Sequence, residues 1–278
     1  MSLIARRSFL LAVPGVRSLG ARSTIEVAYA GSMASVMEGP IKRATGDELG
    51  LELQGRAQGA SGLAQLIAGG SIHPDVFISI TPGPMETVLK AGKTKRSPPI
   101  ARTEMVIAYS PTSRFAAQLR SGGQWWSTLQ TPGFRFGRTD PLTDPQGRNI
   151  IFVMQLASEF YHQPDLARRI LGEDLNPRQI FSEPSVQARL QSGELDAASA
   201  YRVQPAAFKL PYIVLPKEVN LSSPKPATAS LVLNGKTYKP EPLVYYAAAL
   251  TDAGQPFVNW LQGSTAQAIF RKAGYDTV

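Results

Sequence analysis

Three short runs in this chain place small or hydroxyl-bearing residues between a strand-like stretch and a helical pattern: Gly31-Ser32-Met33, Gly59-Ala60-Ser61-Gly62 and Asp144-Pro145-Gln146-Gly147. A helix N-terminus carries unpaired N–H groups and a partial positive charge, so such a turn can hold an anion without a formal cation. In open α/β sheets these turns gather in the crevice beyond the carboxyl ends of the strands. Ser32 and Ser61 would add hydroxyl donors there. The same residues also serve as plain caps and turn formers, so each run alone leaves both readings open. Tyr201 ends another strand-like stretch and could donate its hydroxyl to a bound oxygen. Arg138 and Arg148 are candidates to balance charge nearby.

The elements that must position these residues alternate quickly. Strand patterns cover 25–30, 49–53, 75–80, 105–109, 134–137 and 196–201. Helical spacing covers 33–44, 61–68 (with Ser61 as its cap), 146–161, 164–171, 185–191, 256–262 and 266–273. This order predicts an α/β architecture with a mainly parallel sheet. Asn234-Gly235 predicts a hairpin, because both residues accept the positive φ of a two-residue turn. The pair Trp125-Trp126 is expected to cover an apolar face.

Composition narrows the chemistry. At 278 residues the chain can build one large or two moderate cores. It holds 29 Lys and Arg against 21 Asp and Glu, a net charge of +8. The basic residues are scattered without a long block, which argues against nucleic acid and leaves an anionic ligand or surface. Without a single cysteine, thiol nucleophiles, disulfides and Cys-based metal sites are excluded. His73 and His162 are too few and too far apart for a metal cluster. Nucleophile elbows, zinc-protease helices and phosphate loops are also missing from the sequence, so an enzyme is not expected. At the N-terminus, Arg6-Arg7 precede the apolar run Phe9-Leu10-Leu11-Ala12-Val13 and a small-residue region. That is the order of an export signal over 1–23, similar to the twin-arginine kind.

Longer motifs carry a family resemblance. Tyr29-Ala30-Gly31-Ser32-Met33 resembles the opening of periplasmic molybdate-binding proteins. The runs Phe136-Gly137-Arg138-Thr139-Asp140-Pro141 and Asp144-Pro145-Gln146-Gly147-Arg148 resemble the archaeal-type tungstate/molybdate-binding branch of the ABC-transporter solute-binding proteins. So do Gln191-Ser192-Gly193-Glu194-Leu195-Asp196, Leu215–Leu221 and Leu233–Tyr238. The resemblance implies a two-lobed periplasmic binding-protein fold of class II, with the ligand cleft between lobes. Lobe I is expected over 24–106 plus 223–278 and lobe II over 107–222.

Motif by motif, the resemblance implies oxyanion contacts from Gly31, Ser32, Ser61, Asp144, Pro145, Gln146, Glu183 and Tyr201, with Ala60 as the competing register for Ser61. The family often has Glu before this Tyr; here it is Ala200. Asp144 and Glu183 would ligate the metal centre of a bound molybdate or tungstate. Two carboxylates repel an ordinary dianion in a poorly solvated cleft. A molybdenum or tungsten centre can accept extra oxygen donors, whereas sulfur in sulfate cannot do so readily, so the acids would also reject sulfate and phosphate. The alternative is the same fold binding phosphate, sulfate or a small carboxylate. Implied partners are a small inorganic oxyanion and an ABC-transporter permease, for an extracytoplasmic monomer without a cofactor.

Overall fold

The computed structural model describes residues 23–223 and 229–278. The export-signal reading and part of the Pro-rich connector at 222–226 lie outside them. Among the described residues, eleven strands form two main sheets and a hairpin. They are β1 (Ser23–Ala30), β2 (Leu51–Gln58), β3 (Val76–Ile80), β4 (Pro99–Arg102), β5 (Met105–Tyr109), β6 (Phe136–Gly137), β7 (Ala197–Tyr201), β8 (Tyr212–Val214), β9 (Leu231–Leu233), β10 (Lys236–Tyr238) and β11 (Val244–Ala249). The first sheet runs β2-β1-β3-β11-β4 and the second β6-β7-β5-β8. Only Thr103 and Glu104 separate β4 from β5, so the chain passes from one sheet to the other within two residues.

The expected mainly parallel sheet is corrected by this topology. Among the described residues, parallel strand pairing is confined to β1 with β2, β1 with β3 and β6 with β7. Strand β11 pairs antiparallel with both β3 and β4, and β5 pairs antiparallel with β7 and β8. The cause is the long excursion between β4 and β11. A strand that returns from the second sheet need not obey the right-handed crossover that keeps βαβ neighbours parallel.

Central strands β3, β5 and β7 are buried at every position, as strands covered on both faces must be. Helix 145–160, the longest among the described residues, packs on the second sheet and on the helix at 166–171, with Ile150 to Met154 all buried. The segment 31–48 is less regular than the expected single helix. It passes through 3-10, α and π turns, with non-helical φ/ψ at Gly39 beside Pro40, because proline removes an N–H from the ladder. Helix 60–68 is preceded by Gly59 as its cap, which corrects the expectation of Ser61; Ser61 lies inside the first turn. The β9–β10 hairpin turns through Asn234 and Gly235 at φ 49° and 73°, the pair of positive angles that this turn needs. Trp125 is buried and Trp126 stacks on Tyr161 at 3.8 Å, so the tryptophans do cover an apolar face.

Candidate functional site

Strand ends bring the site together. β1 runs directly into Gly31 and Ser32, β2 into Gly59, and β6 into the turn that leads to Asp144. Because β11 is antiparallel to β3, its beginning rather than its end reaches this side of the first sheet, carrying Tyr245. Gly31, Ser32, Gln58 and Gly59 from the first unit face Asp140, Asp144, Glu183 and Gln204 from the second across a cleft of about 810 Å³. The units also touch. Gly62 N donates to Thr143 O at 3.1 Å, and Arg148 Nη2 donates to Ser61 Oγ at 2.7 Å.

Each acid is held by its local structure. Asp144 caps helix 145–160, where Oδ1 accepts from Gln146 N at 2.9 Å and Pro145 fills the first turn. The capping role and a place in the cleft therefore coexist. The turn 139–144 packs tightly over that helix. A Cβ on Gly147 would lie 2.6 Å from Pro141 N, so only glycine lets the turn come this close. Glu183 opens helix 183–192, and its Oε1 accepts from Gln204 Nε2 at 2.6 Å. The Oε1 of Gln204 in turn accepts from Tyr201 N at 2.7 Å.

Buried hydroxyls stand behind both walls. Ser32 Oγ and Tyr245 OH lie 2.9 Å apart, and Tyr275 OH donates to Ser32 O at 3.3 Å. Tyr201, 1% exposed, accepts from Asn149 Nδ2 at 3.0 Å. Of the residues expected from sequence, Gly31, Ser32, Asp144 and Glu183 face the cleft. Gln146 supports Asp144 through its amide and sends its side chain to Ser199 O at 2.9 Å. Tyr201 stands behind the acids. Ser61 and Pro145 line a neighbouring groove instead, and Ala60 is buried.

Gln204, Asn149, Tyr245 and Tyr275 were not singled out by sequence reasoning. Gln204 carried one usable signal, since it lies one turn after Tyr201. Nothing local marks Tyr245, which is 213 positions from its partner Ser32.

The electrostatics are one-sided. Asp140, Asp144 and Glu183 line the cleft, and among the described residues no Lys or Arg does. Burial raises the Asp144 carboxyl above its ordinary range, opposed by the Gln146 amide and the charge of Arg148. Burial and then the Asp144 charge push Glu183 well above the usual value. Burial also raises Tyr201 and Tyr245, keeping both hydroxyls as donors. Arg138 does not line the cleft, although the charge of Asp140 acts on it. Its buried guanidinium donates to Glu173 O, Asp174 O and Gln179 Oε1, anchoring that loop, and burial pulls its pKa down to about 10. Arg148 lies closer, as Asp144's dependence on its charge shows. The arrangement offers amide and hydroxyl donors together with the carboxyl groups of Asp140, Asp144 and Glu183.

Known proteins share this arrangement of elements. The chain is 28% identical over 261 residues to a Haloferax volcanii protein provisionally named an ABC-transporter molybdenum-binding protein, covering 89% of this chain and 83% of the relative. It is 27% identical over 207 residues to the molybdate/tungstate-binding protein of Thermococcus kodakarensis, covering 63% of this chain and 58% of that protein. The fold matches the periplasmic molybdate-binding protein of Azotobacter vinelandii with a TM-score of 0.69 at 17% identity, over 91% of this chain and 99% of the other. The match that spans nearly everything from β1 to the last helix is to the bacterial extracellular solute-binding proteins, over residues 25–276, and this chain belongs to that family.

Proposed function

We propose that this protein captures molybdate or tungstate outside the cytoplasm and delivers it, as a monomer, to the permease of an ABC importer. The lobes are divided at Thr103–Glu104 on the outward path and between β8 and β11 on the return. The oxyanion sits between them, with Gly31 and Ser32 donating from one side and the Asp144-Pro145-Gln146 turn, Glu183 and Tyr201 acting from the other. The role is binding and release, not catalysis.

One observation carries the choice of ligand: two buried or half-buried acids, Asp144 and Glu183, face a cleft without a lining cation among the described residues. Wherever these acids are ionised, a sulfate or phosphate dianion meets repulsion from them. A molybdenum or tungsten centre turns the same carboxylates into ligands, because a high-valent metal favours hard oxygen donors. Names of the relatives point the same way. Around this core, Ser32 and Tyr245 orient one oxygen, while closure excludes water and strengthens the remaining hydrogen bonds.

Titration calorimetry on purified protein with tungstate, molybdate, sulfate and phosphate tests the reading. Expected is tight binding of the first two and weak or no binding of the others. A preference for sulfate or phosphate would overturn it in favour of the same fold serving another anion.

A further inference from the structure

The contact between the lobes runs through a side chain that the cleft does not expose. Arg148 is 6% exposed, one turn after Asp144 on helix 145–160. Its Nη1 donates to Pro141 O at 2.8 Å, holding the turn that delivers Asp144. Its Nη2 donates to Ser61 Oγ at 2.7 Å, reaching the helix after β2 in the other lobe. The guanidinium lies over the Tyr238 ring at 4.7 Å. A buried guanidinium is costly unless its donors are met, and here one of its partners belongs to the opposite lobe.

We infer that Arg148 is the positioning residue that couples occupancy of the cleft to lobe closure, with Ser61 as its partner across the gap. Resting on the oxyanion reading proposed above, this gives Ser61 a part other than touching the ligand. On one side Arg148 supplies positive charge that the cleft lining lacks, and Asp144 responds to it. On the other it grips Ser61. A dianion bound at Asp144 and Glu183 favours that charge staying where it is, and so favours the closed contact. The neighbouring bond from Gly62 N to Thr143 O is main chain at both ends. It survives replacement of the Ser61 or Arg148 side chain, and the side-chain pair can therefore be tested apart from it.

A double-mutant cycle separates this role from direct contact. Tungstate association and dissociation rates are measured for wild type, Ser61→Ala, Arg148→Met and the double variant. Each single change is expected to raise the dissociation rate about tenfold, as for one hydrogen bond to a charged group, with association changed by less than about twofold. The double variant should be no worse than Arg148→Met, which also releases Pro141 O. Additive losses would overturn the inference and place Ser61 on the anion. Melting curves, with Arg148→Lys as the charge-preserving variant, guard against a folding defect.

A second readout needs no ligand. Because the chain lacks cysteine, labels at Glu52→Cys and Arg168→Cys report the interlobe distance. Ser61→Ala should widen that distance in the anion-free protein; an unchanged distance defeats the latch. If wild-type protein bound no tungstate, the proposed function would fail, yet this distance would still decide the role of Arg148.

Discussion

Gly31 and Glu183 meet so closely across the cleft that a methyl group on Gly31 would land on the Glu183 carboxylate. The glycine is there for space. Its neighbour Glu183 is held by Gln204 and cannot swing away without losing that bond. Gly31→Ala is therefore expected to push the lobes apart and weaken tungstate binding by about tenfold or more, while leaving the melting temperature nearly unchanged. Calorimetry and thermal denaturation on the same sample check both halves.

The two acids should separate by anion. Asp144→Asn keeps the cap on Gln146 N but removes a charge and a ligand, and Glu183→Gln keeps the hydrogen-bonding length. Each is expected to lower tungstate affinity by at least about tenfold and to narrow the gap to sulfate, since the repulsion that excludes sulfate is reduced. Competition titrations with both anions measure the ratio.

Stability of the anion-free protein should depend on pH through the same pair. Burial raises both carboxyls, so the folded protein holds protons that the unfolded chain has lost above its ordinary carboxylate value of about 4. Their contribution is fully present below that value and fades as pH rises through the raised folded values. Glu183→Gln should flatten the decline. Urea unfolding of both proteins between pH 5 and 8 compares the slopes, and equal slopes would remove Glu183 from the account.

Asp196 should act in the opposite sense. Although burial works against it, bonds from Arg135 and Ser113 hold its pKa below the usual range. The stability it provides is present above the unfolded carboxylate value and disappears as pH falls through the lowered one. Asp196→Asn is expected to cost about 2–3 kcal/mol at neutral pH and less in acid, with no change in anion selectivity.

Sequence patterning revealed elements whose signal is local. β5 appears at Met105–Tyr109 as expected, since a short apolar run flanked by polar residues needs nothing distant to be recognised. The Asn234-Gly235 turn likewise announces itself. β11 escaped because Val244–Ala249 is half alanine and follows two prolines at 240 and 242, a composition without strand alternation. Its direction, and with it the correction of the parallel sheet, depends on a pairing more than 160 positions long between Tyr245 and Ile80. The site divides along the same line. Asp144 was visible because it caps its own helix. The bond that Ser61 Oγ accepts from Arg148, 87 positions away, carries no local signal, and neither do the loop carbonyls 35 and 36 positions after Arg138 that its guanidinium meets.

The placement of β11 between β3 and β4 also governs how the molecule can assemble. Among the described residues β4 pairs with β11 on one side and bridges Asp276 through Arg102 on the other, so neither flank is covered until the last quarter of the chain is available. Every strand of the second sheet is by then already present. The second lobe can form early from contacts within itself, whereas the first must wait for a distant segment, which is the slow kind of closure. A chain interrupted before Val244 would expose the flank of β3, an invitation to association with other chains.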